Sequence, residues 1–234
     1  MISENELLEA LASWPTLDSL QDRLAVVQIV AEYWHGPLTA TPSPRDINAK
    51  QPDLPAALTW FHQTFGGHDH VHSYFNQLTQ PSRLHSDPGG YVPFYAECQG
   101  VFRWAIRLDG DDPPVFGRGR EEDRPWKLQM DRLTGFFLFA ITFEALYQTR
   151  WSAHGTMPLR AFSQLCTPLL KADTGHSLWM NGRCDLYQGN GLTVWAWEIN
   201  QDETRPVIVG SLAEGPVQRA TTEGDWVQNW ESGV

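Results

Sequence analysis

The chain has 234 residues, with 28 Asp and Glu against 17 Lys and Arg, and a formal charge of −11. That length suits one domain with an appendage better than two compact domains, and a hydrophobic share of 41% with 11 Trp excludes a wholly disordered chain. The negative charge opposes direct binding to nucleic acid or anionic lipid and favours a basic partner.

In chain order, Ser3 and Glu6 form a capping-box pattern ahead of Leu7, Leu8 and Leu11, which predicts a short amphipathic helix ending before Trp14 and Pro15. From Asp18 to Trp34 the residues Leu20, Leu24, Val27 and Ala31 recur at helical spacing and predict a second, largely buried helix. Gly36 to Pro52 holds four prolines and little apolar periodicity, so it reads as a surface loop. A third helix is predicted with Asp53 as N-cap, Pro55 in its first turn, a stripe of Leu58, Phe61 and Phe65, and an end at Gly66-Gly67.

Tyr91 to Leu108 predicts a β-hairpin turning at Gln99-Gly100, because Phe102, Trp104, Ile106 and Leu108 alternate with Val101, Arg103, Ala105 and Arg107. Pro114-Val115-Phe116 suits a short edge strand, where a proline costs no ladder bond. Lys127 to Tyr147 reads as a central helix, apolar on most sides. Two further strands, Leu192 to Ile199 and Pro206 to Gly210, follow the turn residues Gly189-Asn190-Gly191 and extend the sheet or cover it. Together these elements predict a single α+β domain over residues 1–234, with an antiparallel or mixed sheet packed against helices, and a β-containing extension from about residue 151.

The apolar run Phe136 to Phe143 stops at Glu144, too short to span a bilayer. The N-terminus carries Glu4, Glu6 and Glu9 where a secretory signal needs a basic start, so a cytoplasmic location is expected. Cys98, Cys166 and Cys184 form an odd, widely spaced set that fits reduced thiols.

The densest candidate for chemistry is Gly66-Gly67-His68-Asp69-His70-Val71-His72. In an extended segment His68, His70 and His72 project from one face and could share a metal, as a metal-dependent enzyme requires. No other His or Cys cluster completes a ligand set, so the expectation is no metal and no cofactor. There is no Gly-x-Ser-x-Gly, and the glycines at 110, 117 and 119 do not open a helix after a buried strand, so neither a nucleophile elbow nor a phosphate loop is predicted.

Binding gives the acids a use. Asp109, Asp111, Asp112, Glu121, Glu122 and Asp123 form one cluster, and the tail adds Asp202 and Glu203 among seven acids opposed by Arg205 and Arg219. Such clusters steer a basic partner, although Arg118, Arg120 and Arg124 interrupt the first and offer it internal pairing. Trp195 and Trp197 fit a strand face in the core; Trp226 and Trp230 either dock the C-terminal end onto the body or remain available to a partner.

Leu54-Pro55 with Trp60, Phe61 and Gly66-Gly67, then Tyr91-Val92-Pro93-Phe94-Tyr95-Ala96-Glu97-Cys98-Gln99-Gly100, Trp104, Pro113-Pro114-Val115, and Leu133 with Phe136 and Phe137, resemble the landmarks of the SUKH superfamily. The resemblance covers about residues 22–150 and has no counterpart for the tail. It implies a binding fold with no catalytic motif: bacterial members are commonly immunity proteins that block secreted toxins, often nucleases, and fungal relatives act as signalling scaffolds. The leading expectation is therefore an immunity protein for a basic toxin, with a regulatory scaffold as the alternative.

Overall fold

The structure, a computed structural model, describes residues 1–40, 53–120, 124–175, 177–180, 182–198, 203–222 and 225–228. The first half opens with helices α1 (Glu4–Ser13), α2 (Leu20–His35), α3 (Ala56–Phe65) and the single turn α4 (Asp69–His72). Strands β1 (Gln77–Leu78), β2 (Val92–Ala96), β3 (Phe102–Ile106), β4 (Val115–Gly119) and β5 (Lys127–Met130) follow, and then helix α5 (Leu133–Gln148). The second half runs β6 (Trp151–Pro158), α6 (Leu159–Cys166), β7 (Leu170–Ala172), β8 (Leu178–Trp179), β9 (Gly182–Gly189), β10 (Leu192–Glu198), β11 (Thr204–Ser211), α7 (Glu214–Ala220) and β12 (Asp225–Gln228). The class is α+β, with two antiparallel sheets packed against helices.

The first sheet has the order β1-β2-β3-β4-β5 and the second β12-β6-β11-β10-β9-β7, with β8 paired to β9 beyond β7. The tail thus builds its own sheet rather than extending the first, and its Trp179 lies against Trp104 of the first at 4.5 Å. Helix α5 lies between the two. Its Phe136 ring meets Phe94 at 5.1 Å and Trp104 at 5.7 Å of the first sheet and stacks at 5.5 Å on Trp179 of β8, in the second. Phe139 and Phe143 meet Trp195 at 5.2 and 4.9 Å. Trp195 lies in this core with Trp197 packed partly buried against it, whereas Ile199 lies outside the described residues. The far face of the second sheet carries Val194, Ala196, Val207 and Val209 under Phe162 of α6 and Val217 of α7.

Local signals account for several elements. The Ser3–Glu6 capping box is present, satisfying N–H groups that the first turn leaves without partners. At the β9–β10 hairpin Asn190 and Gly191 take φ of 56° and 73°, the left-handed pair that a two-residue hairpin requires.

Other expectations are corrected. Helix α3 begins after Pro55 and not with an Asp53 cap, because the Asp111 carbonyl accepts from Ala57 N at 2.9 Å. Strand β4 is interior, paired on both sides, and not an edge. The residues Lys127–Met130 form β5 against β4, so the central helix starts only at Leu133. Two tail helices, α6 and α7, went unpredicted. The loop expected at Gly36 to Pro52 falls largely outside the described residues.

Two buried polar joints brace α5. Asp112 accepts from Thr134 N at 2.8 Å and from the Thr134 hydroxyl at 2.7 Å, capping the helix from the β3–β4 loop, and pairs with Arg23 at 3.0 Å. Arg23 also donates to the carbonyls of Leu17 and Asp18. Within the helix, the fully buried Glu144 accepts from the backbone of Phe75 and Asn76, and the Tyr95 hydroxyl lies 2.9 Å from it. Burial, and then the Glu144 charge, push the Tyr95 phenol well above its ordinary pKa. Among the described residues no helix is long and apolar enough to cross a membrane.

Candidate functional site

Strand alternation divides the first sheet into two faces. Phe94, Phe102, Trp104, Ile106 and Val115 turn towards α5 and are buried. The opposite face is set by register: Pro93 pairs with Ala105, Ala105 with Phe116, Phe116 with Leu128, and Arg103 with Arg118. Tyr91, just before β2, and Trp126, just before β5, add their rings to it.

These side chains form an aromatic–guanidinium ladder. Arg107 lies over the Tyr91 ring at 5.8 Å, Tyr91 stacks on Trp126 at 5.4 Å, and Arg118 lies over Trp126 at 4.4 Å. The Phe116 ring meets Tyr91 edge-on at 5.2 Å. Contacts of this kind contribute about 0.5–1.5 kcal/mol each beyond buried area. Tyr91, Phe116 and Trp126 are all partly buried, yet they belong to neither of the two core clusters. Arg103 is exposed beside them.

Asp87 fixes the ladder from one end. Its carboxylate accepts from Trp126 Nε1, Tyr91 N and Gly89 N, each at 2.9 Å. Burial acts to raise its pKa, but the hydrogen bonds from Trp126, Tyr91 and Gly89 and the Arg118 charge outweigh it and hold the carboxyl below its usual range. Residues 87, 91, 116, 118 and 126 are thus tied to one another before any partner arrives.

The expected acidic sites fare differently. Asp109 is 71% exposed at its side chain and pairs with the half-exposed Arg107 at 3.3 Å, a contact of little energetic consequence. Asp111 is exposed. Asp112 serves the fold: its side chain is 8% exposed and committed to Arg23 and Thr134. Glu203 is exposed, and its carbonyl accepts from Leu159 N at 3.1 Å. Glu121, Glu122, Asp123 and Asp202 lie outside the described residues.

The histidine triplet does not assemble as an extended segment would have it. Residues 69–72 form a helical turn, so His72 points inward, with Nε2 donating to the Phe65 carbonyl at 2.9 Å, while His68 Nε2 lies 2.8 Å from the Thr39 carbonyl. Among the described residues no group of three His, Cys, Asp or Glu side chains is arranged to hold a metal ion. The thiols of Cys98, Cys166 and Cys184 are unbridged, and burial pushes Cys166 up to about 12. Trp226 packs partly buried against the outer core of the second sheet, and Trp230 lies outside the described residues.

Sequence reasoning missed Tyr91 and Trp126 as site residues because they are 35 positions apart and meet only through strand pairing. The available signal was Trp126 itself, an aromatic set between Arg124 and Lys127 in an otherwise charged loop. Compared with family models, with curated proteins and with solved structures, the chain matches none.

Proposed function

We propose that this chain works by binding another protein, as an immunity protein that blocks a toxin, and that the outer face of the first sheet is its contact surface. The observation that carries the reading is the ladder of Arg107, Tyr91, Trp126 and Arg118, which belongs to no core. Trp, Tyr and Arg are the residues from which protein interfaces draw their anchors. Held by Asp87 and by one another, these side chains lose little freedom on docking, which favours tight binding.

The net charge of −11 supports the other half of the proposal, since it speeds approach to a basic partner while disfavouring nucleic acid. The arginines on the face then meet the partner's carboxylates or carbonyl groups at close range. The SUKH-like landmarks support a toxin as that partner.

The test mixes the purified chain with the toxin domain encoded beside it. A 1:1 complex and loss of toxin activity are expected, with binding at least about 100-fold weaker for the pair Trp126→Ala and Arg103→Glu. Failure to bind or inhibit overturns the immunity reading; a tight complex indifferent to both substitutions overturns the assignment of the face. Recovery of host signalling proteins in place of a toxin moves the reading to a scaffold.

A further inference from the structure

Five of the eight histidines gather where α2, α3, α4 and the end of α5 meet. His35 closes α2, and its ring meets His70 edge-on at 5.3 Å; His70 meets His68 in the same way at 5.4 Å. His62 on α3 and His72 on α4 are 7% and 2% exposed. The Nε2 atoms of His35 and His62 are buried without a hydrogen-bond partner. At His72 the Phe65 carbonyl accepts from Nε2 at 2.9 Å, and Nδ1 lies 2.6 Å from the Ser73 hydroxyl. Burial is what favours the neutral ring there.

The cluster also fastens its surroundings. His68 ties the chain at Thr39, and Gln148, the last residue of α5, donates to the His70 carbonyl. The carboxylate that acts on these rings is Asp69, whose charge favours the protonated forms of His70 and His72; the other charges acting on them are the imidazoles themselves.

We infer that this corner is a proton-operated latch: with its imidazoles neutral it holds α4 and the chain at Thr39 against α2, α3 and α5, and on protonation that corner detaches while both sheets stay folded. Helix α4 is one turn of 4 residues and does not persist without its contacts. The sheets are held instead by the aromatic packing on α5, so opening the corner costs less than unfolding the whole.

Burial is the first cause at each buried ring. With the neighbouring His70 and His68 it holds His35 at about 4, with His72 it holds His62 at about 4, and it holds His72 at about 4 against the opposing Phe65 bond. Released into water, each returns towards the ordinary 6.5. The open form therefore binds protons from 6.5 downward and the closed form only near 4. Closure is fully favoured above 6.5 and loses ground as the pH falls to about 4. At about pH 5 each of these rings favours opening by roughly thirtyfold.

Amide hydrogen exchange on the full chain at pH 7 and pH 5, corrected for intrinsic rates, tests the latch. Protection is expected to fall at residues 36–40 and 66–73 and to hold in β3 and β10. Titration of the ring protons by NMR is expected to place His35 and His62 below the ordinary 6.5, between the closed-form value of about 4 and that of the open form. In the double variant His35→Gln with His62→Gln, opening at pH 5 is expected to be about a thousandfold less favoured, the product of two such factors. Loss of protection throughout the chain at once, full protection of the corner at pH 5, or rings titrating near 6.5 would overturn the proposal, and all three are read on the unaltered protein.

Discussion

The two sheets differ in what lies on their faces. The second is covered on both sides, by α5 on one and by α6 and α7 on the other, and its aromatic residues are accounted for by packing. The first packs one face against α5 and Trp179, and its far face carries Tyr91, Phe116 and Trp126 outside either core. Aromatic residues that a core explains need no further role; those left over after the cores are assigned mark where a second molecule gains most.

The largest effect is expected at the helix both sheets share. Phe136→Ala removes ring contacts to Phe94 and Trp104 of the first sheet and to Trp179 of the second, and is expected to cost about 3–5 kcal/mol. Urea unfolding followed by Trp fluorescence should show one transition moved to lower denaturant; two separate transitions would mean that the sheets are independent.

Asp112→Ala strands Arg23 in a site where both side chains are under a tenth exposed, and the expected loss is about 3 kcal/mol. Thermal unfolding of Asp112→Ala beside Asp109→Ala separates the buried acid from the exposed one, which should be nearly silent.

Much of the fold is legible where the deciding contacts are local. The capping box joins Ser3 to Glu6, the Asn190-Gly191 turn needs only its own backbone angles, and the Leu58, Phe61, Phe65 stripe follows from helical period. What is not legible depends on partners far along the chain. Leu128 and Met130 fit a helical stripe running into Leu133, and only pairing with β4 makes them strand. Asp112 looks like any acid of a polar turn until Arg23, 89 positions away, reaches it. The site is less legible than the fold for the same reason, since sheet register assembles the ladder.

A smaller effect is expected at the edge of the second sheet. At Gly155 a Cβ would stand 2.0 Å from the Asp225 carbonyl oxygen of β12, so Gly155→Ala should displace that strand at a cost of about 1–3 kcal/mol. Hydrogen exchange should rise at residues 225–228 and not in β9 or β10.

The smallest effect is expected on the outer face of the first sheet. Arg103→Glu, on the uncovered face, is expected to leave the unfolding midpoint within about 0.5 kcal/mol of the parent while weakening the partner complex. A large loss of stability there would mean that the face belongs to the fold.

Helix α5 sets a timetable for the chain's own synthesis. Phe139 and Phe143 are made before the Trp195 they pack on, and at about 5–20 residues per second the ribosome takes roughly 3–10 s to deliver it. Through that interval a helix buried from Leu133 to Leu146 in the finished fold has one sheet to cover it. A chain released near residue 150 keeps that bare flank for good, and is expected to aggregate where the full-length product stays dispersed.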